Sequence, residues 1–256
     1  MLRQVDTDLW VTERPHRYLG LHIETRMTVI KLADGTLFVH SPVRLDEVTR
    51  ASLDKLGPVK HVVAPNRFHH LFVSDYPKNY PDAKIYGAPG LDTKRRDLHF
   101  DAILGDISPP VWSGQIDQIV FHAFGALNET IFFDRRSHTA LFTDLMFNVN
   151  HSDSALTRIV LKLDGGFGFL AVPRTFRLPI RMHRRLALGA LACILEWDFD
   201  RLTVAHGDMV ERGAKTAMRN AWSFLQACLS RPPGCIRLVV RYTELASDRF
   251  KDFWKD

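Results

Sequence analysis

The sequence predicts a single α/β domain built as a layered sandwich, with sheets inside and helices outside. Three observations predict it. Apolar runs of strand length alternate with segments of helical period, in two successive halves. Two of the strand pairs are joined by hairpin signals, which make antiparallel neighbours and weigh against a plain doubly wound parallel sheet. No G-x-G-x-x-G or P-loop follows the early strands, so nucleotide binding has no support.

The elements follow in order. "DLWVT" is a short β-prone run. "MTVIKLADGTLFVHSP" holds two apolar runs joined at Ala33-Asp34-Gly35, a hairpin. In "RLDEVTRASLDKLG" the period changes: Leu45, Val48, Leu53 and Leu56 fall near helical spacing, and Gly57 suits the stop. "VKHVVAP" is the next strand. "HHLFVSDYPKNYP" begins a helix interrupted at Pro77 and ended by Pro81, and "AKIYGA" is again a strand. Residues 89–113 are irregular. Strands resume with "QIDQIVFHAFG", and "ETIFFD" and "TALFTD" flank Arg135-Arg136-Ser137-His138 as a second hairpin. Residues 151–183, rich in Gly, Pro and Arg, resist assignment. "HRRLALGALACILEW" reads as a helix, "RLTVAHGD" as strand plus loop, and "ERGAKTAMRNAWSFLQACL" as an amphipathic helix. Pro232-Pro233-Gly234 ends it, so one domain over residues 1–229 and a C-terminal extension over 230–256 are expected.

Composition bounds the class. The chain has 256 residues, 46% hydrophobic and 25% charged, enough for a large core. The net charge of +5 is concentrated at Lys94-Arg95-Arg96 and at Arg174, Arg177, Arg181, Arg184 and Arg185. No nucleic-acid-reading motif accompanies either patch, so a solvated face or the rim of an anionic substrate site is expected and nucleic acid is not. The longest apolar run, "LALGALACIL", is about half of a membrane span. The N-terminus has no apolar signal core, and Cys193, Cys228 and Cys235 form no C-x-x-C pair. Reduced thiols and a cytoplasmic location are the expectation.

Three segments end an apolar strand with residues that ligate metals: "VVAPNRFHH", "ALFTDLMFN" and "LTVAHGD". In layered α/β folds, loops at strand ends project side chains into a crevice. The candidates are His69, His70, Asp144 and His206, and three imidazoles with one carboxylate suit a single zinc or iron ion. The remaining histidines, His16 and His40 among them, show no ligand spacing and read as surface or packed side chains. Asn66 and Asn148 read as loop-fixing residues.

On "LADGTLFVHSP", "PNRFHH", "LFTDLMFN" and "LTVAHGDM", in that order and spacing, the chain resembles the metallo-β-lactamase fold superfamily over roughly residues 5 to 228. It is most similar there to a bacterial branch marked by P-N-x-x-H-H and T-D-L-x-F-N. The resemblance implies an αββα four-layer sandwich with a metal site at one sheet edge. It also implies a departure. Set against the family motif H-x-H-x-D-H, His70 takes the final histidine and His69 the aspartate, while Pro65 and Arg67 replace the first two histidines. "FGALNET" offers no histidine where the next is expected. One of the family's two metal positions is therefore lost, and His69, His70, Asp144 and His206 match the other. Glu129, near the vacated position, is a candidate fifth ligand or base, and Arg67 a candidate anion clamp. A one-ion, hydrolase-like enzyme on a small, anionic substrate is the leading expectation. A non-catalytic binding module and a mononuclear iron redox protein are the alternatives.

Overall fold

The structure, a computed structural model, describes residues 1–225. It contains two sheets. The first runs β1 (Arg3–Asp6), β2 (Leu9–Tyr18), β3 (Leu21–Lys31), β4 (Leu37–His40), β5 (Val59–Ala64), β6 (Lys84–Gly87), β7 (Ala102–Ile103), in that spatial order. It is antiparallel up to β4 and parallel from β4 onward. The second is ordered β11 (Arg201–Thr203), β10 (Thr139–Leu141), β9 (Glu129–Asp134), β8 (Ile116–Phe121), with β10 and β11 parallel. Parallel neighbours need crossovers, which the helices supply: α1 (Glu47–Leu56), α2 (Asp75–Asn79) and α3 (Leu91–Lys94) in the first half, then α4 (Ala155–Asp164), α5 (Arg174–Met182) and α6 (Arg184–Glu196) between β10 and β11, with α7 (Ala214–Ala221) following the last strand.

Three apolar clusters fix the layers. Leu53 and Leu91 of α1 and α3 pack with Val29, Val39 and Val62 on the outer face of the first sheet. Phe38, Val63 and Tyr86 meet Trp112, Phe132 and Leu141 between the sheets. Ile131 and Phe133 on the outer face of the second sheet pack with Leu191, Ile194 and Met218. Helices, sheet, sheet, helices is the αββα order expected. Both predicted hairpins form, through Gly35 at φ +83° and through His138 at φ +50°.

Some expectations change. The first strand does not stop at "DLWVT": β2 continues through Pro15 to Tyr18 and forms a long hairpin with β3, from Leu9 opposite Ile30 to Tyr18 opposite Leu21. Pro15 is tolerated because β1 covers only the start of β2, so its missing N–H lies on an open edge. Pro77 sits in the first turn of α2, where no intrahelical donor is lost. Residues 151–183 resolve into α4, capped by the Ser154 hydroxyl and closed by Gly165, and α5. Cys193 is disulfide-bonded, so its reading as a reduced thiol does not hold, and the cytoplasmic expectation loses that support. The predicted boundary at 229/230, Cys228 and Cys235 lie outside the described residues. No helix among those described is long and apolar enough to cross a membrane.

Candidate metal centre

Four loops meet at one edge of the sandwich: those following β4, β5, β10 and β11. They carry Ser41, Asn66 to His70, Thr143 to Leu145, and His206. Asp144 is the focus. Its Oδ2 lies 3.2 Å from His69 Nε2 and its Oδ1 3.0 Å from His206 Nε2. One ligand-type atom from each of the three residues lies within 4.8 Å of the others. The two imidazole rings stand 5.3 Å apart, and Phe147 packs edge-on against His206 at 4.8 Å.

Each member is oriented from behind. His206 Nδ1 lies 2.5 Å from the Glu24 carbonyl of β3. A carbonyl only accepts, so Nδ1 carries a proton, and Nε2 is the atom turned to Asp144. A lone pair facing a carboxylate at 3.0 Å needs a proton or a cation between them. His69 Nδ1 is held by the Ser41 hydroxyl at 2.8 Å. Outer partners of this kind fix the tautomer and ring direction of metal-binding histidines. The loop carrying His206 is anchored by Arg26, nearly fully buried, which donates to the Val204 and Gly207 carbonyls at 2.5 and 2.6 Å and pairs with Glu13 at 2.9 Å.

Asn66 and Glu129 brace the other side. The Asn66 amide oxygen accepts the N–H groups of Phe68 and His69, both at 2.8 Å, and fixes the turn that presents His69. Its Nδ2 lies 2.7 Å from Asp144 Oδ2, 2.8 Å from Thr143 Oγ1 and 3.1 Å from Glu129 Oε2. Glu129, fully buried, accepts the backbone N–H groups of Thr143, Asp144 and Leu145 at 2.8, 2.7 and 3.1 Å. Both Glu129 oxygens are committed to holding the loop that carries Asp144, and neither belongs to the three-ligand group.

The electrostatics follow from this packing. Burial pushes the Asp144 carboxyl up, but the His69 and His206 imidazoles outweigh it and hold the group well below the carboxylate range. Burial opposes charge on His69, and Asp144 outweighs that and raises it. Burial and the Asp144 charge raise Glu129, against the pull of the Thr143 and Asn66 donors.

The structure thus brings together three of the four expected ligands. His70 is not in the group: its Nδ1 accepts from Arg95 Nη1 at 2.8 Å, and burial with Lys94 and Arg95 lowers it to about 4. Adjacent residues on a turn point in different directions, so His69 and His70 diverge. Arg67 lies against Gly90, its Nε is buried without a hydrogen-bond partner, and it pairs with no carboxylate among the described residues. Two histidines set aside from spacing alone lie close by. His16 of β2 feels His206, His69 and Asp144, and His40, fully buried behind Ser41, is lowered to about 3 by burial and by His69. The strand end "FVHS", one residue before the Ser41 contact, was the available signal for His40.

Two face-to-face sheets between helices, with a His–Asp–His group where four loops converge, define a metallo-β-lactamase fold. Within that fold the chain belongs to the family DUF4336, a domain of unknown function, whose model matches residues 6–164. Solved structures agree on the fold. A metallo-β-lactamase from Pontibacter korlensis superposes with a TM-score of 0.59 at 11% identity, covering 89% of this chain and 99% of its own. The Flv1 flavodiiron core from Synechocystis gives 0.61 at 12% identity, covering 90% of this chain and 62% of its own. The metallo-β-lactamase FIM-1 from Pseudomonas aeruginosa, in a mono-zinc form, gives 0.55 at 12% identity, covering 88% and 96%. No curated protein sequence matches the chain.

Proposed function

We propose that this chain is a one-ion metalloprotein of hydrolase type, with His69, Asp144 and His206 as the ligands. A single observation carries the reading: two imidazole Nε2 atoms converge on the two oxygens of one buried carboxylate, and His206 is held by the Glu24 carbonyl at Nδ1 so that Nε2 is left to face it. The donor set of two nitrogens and a carboxylate suits zinc or iron. Such an ion lowers the pKa of a bound water and polarises a carbonyl or phosphoryl oxygen. The protein's part is orientation: Ser41 and the Glu24 carbonyl aim the rings, while Asn66 and Glu129 aim the carboxylate. In this reading Glu129 is a brace rather than a base or fifth ligand, and His70 is not a ligand. Arg67, which pairs with no carboxylate among the described residues, clamps an anionic group of a small substrate.

Likeness to a mono-zinc lactamase and to a flavodiiron core supports the fold for either ion, so a mononuclear iron redox protein is the second reading. Elemental analysis of the full chain, purified without added metal, tests both. About one equivalent of zinc or iron is expected. It should be lost in His69→Ala, Asp144→Ala and His206→Ala and kept in His70→Ala. Zinc favours hydrolysis, and iron with a visible absorption band favours redox chemistry. Trace metal only, not restored by zinc or ferrous iron, overturns both readings and leaves a binding module.

A further inference from the structure

Helices α4 and α5 present a surface that the metal site does not use. Between residues 154 and 195 the chain carries seven lysines and arginines against one aspartate. That aspartate, Asp164, is spent joining the two helices: it accepts from the Thr175 N–H at 2.9 Å and lies 3.2 Å from the Thr175 hydroxyl, while Arg174 Nη1 donates to the Leu163 carbonyl at 3.0 Å. Among the described residues none of the seven cations is within ion-pair distance of a carboxylate, although fifteen such pairs form elsewhere. Their partners within the described fold are rings and carbonyls, which leave the charge unneutralised: Arg177 and Arg181 lie over the Phe224 ring at 5.2 and 5.5 Å, Lys162 over Phe167 at 5.5 Å, and Arg158 and Arg184 donate to the Ser152 and Leu225 carbonyls.

The apolar side chains on this surface follow the same spacing as the cations. On α4, Arg158 and Lys162 each precede an exposed apolar residue, Ile159 and Leu163, 57% and 70% exposed. On α5, Arg177 and Arg181 precede Leu178 and Met182, 67% and 75% exposed. Residues four apart share a helix face. Each helix therefore carries a cationic stripe beside an apolar stripe, while Thr157, Leu161 and Ile180 are buried on the inner side. The Thr157 hydroxyl accepts the His22 N–H at 2.9 Å, which seats α4 on the β2–β3 hairpin with its apolar stripe facing away.

We infer that the α4–α5 face docks on an anionic phospholipid bilayer, with the arginines and lysine at the headgroups and Ile159, Leu163, Leu178 and Met182 in the interfacial layer. This pattern of adjoining basic and apolar stripes is what holds an amphipathic helix in a membrane interface. Charge complementarity favours a lipid surface over the chain's own C-terminal segment, since residues 226–256 carry six lysines and arginines against four acids and share the sign of this face. The metal reading can fail without touching this inference, because no ligand lies on either helix.

Co-sedimentation of the full chain with vesicles tests it. Binding to phosphatidylcholine vesicles containing phosphatidylglycerol is expected, with little to phosphatidylcholine alone and a steep loss in high salt. Lys162→Glu with Arg181→Glu should weaken binding at least ~10-fold. Leu178→Ser with Met182→Ser should weaken it by a similar factor with an unchanged thermal melt, because both positions are largely exposed. Equal binding to neutral and anionic vesicles overturns the inference. So does no binding to either, whether the full chain proves to cover the face itself, to pair through it with a second copy, or to capture an acidic protein instead.

Discussion

Replacing Glu129 with glutamine separates a brace from a base. The Glu129 oxygens take the Thr143, Asp144 and Leu145 N–H groups at 2.8, 2.7 and 3.1 Å, with Asn66 Nδ2 at 3.1 Å. Glutamine keeps the shape but has one acceptor oxygen and one NH2. Its least costly placement sets the oxygen where Oε2 stands, which keeps three partners and turns the NH2 against the Thr143 N–H. Two buried donors then face each other, and orphaning one costs about 1–3 kcal/mol. The three surviving bonds lose charge assistance, which roughly halves them. Removing a buried charge beside Asp144 returns part of this. The expected net loss is about 2–3 kcal/mol, or a urea midpoint lower by about 1 M for a slope of about 3 kcal/mol/M. Unfolding should be followed with a chelator present, so that ion binding adds nothing to the folded state. A midpoint shift below about 0.2 M refutes the brace, since that is less than one weak hydrogen bond.

Three further outcomes follow from the same geometry. Gly207→Ala places a Cβ 2.1 Å from the Asn148 carbonyl oxygen at φ +94°, so thermal unfolding should drop by several degrees or soluble protein be lost, and a normal melt would show that the loop has another course. Arg26→Met strands the Val204 and Gly207 carbonyls and leaves Glu13 with Arg3 alone, at 3.4 Å. A loss of about 2–4 kcal/mol in chemical denaturation, with weakened metal retention, is the expected result. Asn66→Asp keeps the turn acceptor but sets an oxygen against Asp144 Oδ2 at 2.7 Å and Glu129 Oε2 at 3.1 Å. The chelated protein should therefore be strongly destabilised in the same assay, and divalent metal should restore more stability to it than to the parent chain.

Much of the fold was legible because it depends on local signals. Gly35 marks a tight turn, and strand-length apolar runs mark buried strands. The β2–β3 hairpin was hidden because Pro15 argues against a strand unless the neighbouring edge is known to be open. Helices α4 and α5 were hidden because their exposed apolar residues blur the amphipathic period. At the site, the residue types at strand ends pointed to His69, Asp144 and His206. Neighbouring sequence positions could not reveal that His70 turns to Arg95, nor that Glu129 spends its oxygens on three backbone N–H groups. Those facts depend on where α3 and the loop after β10 arrive, and that is set by packing across the two sheets.

The charge balance of the site leads to a prediction about pH. Glu129 and Asp144 are both buried, joined through Asn66, and no lysine or arginine among the described residues contacts either one. Compensation must come from protonated imidazole or from a bound cation, and the two behave oppositely. Without metal, His69 is raised above its free value once Asp144 outweighs burial, so its contribution is complete below the free histidine value and is lost as pH rises through the folded one. His40, lowered by burial to about 3, and His70, lowered to about 4, act on the other side. Their unfolded forms take up protons first, so stability falls as pH drops below about 6.5, by about 2 kcal/mol each at pH 5. The chelated protein should therefore be most stable near the free histidine value and weaken in both directions. A bound zinc ion requires neutral histidines and removes the proton dependence of the alkaline side, while its own retention weakens in acid. Urea midpoints measured across pH with chelator and with zinc check this. Alkaline limbs of equal slope in the two series would mean that the cation is not what balances Asp144.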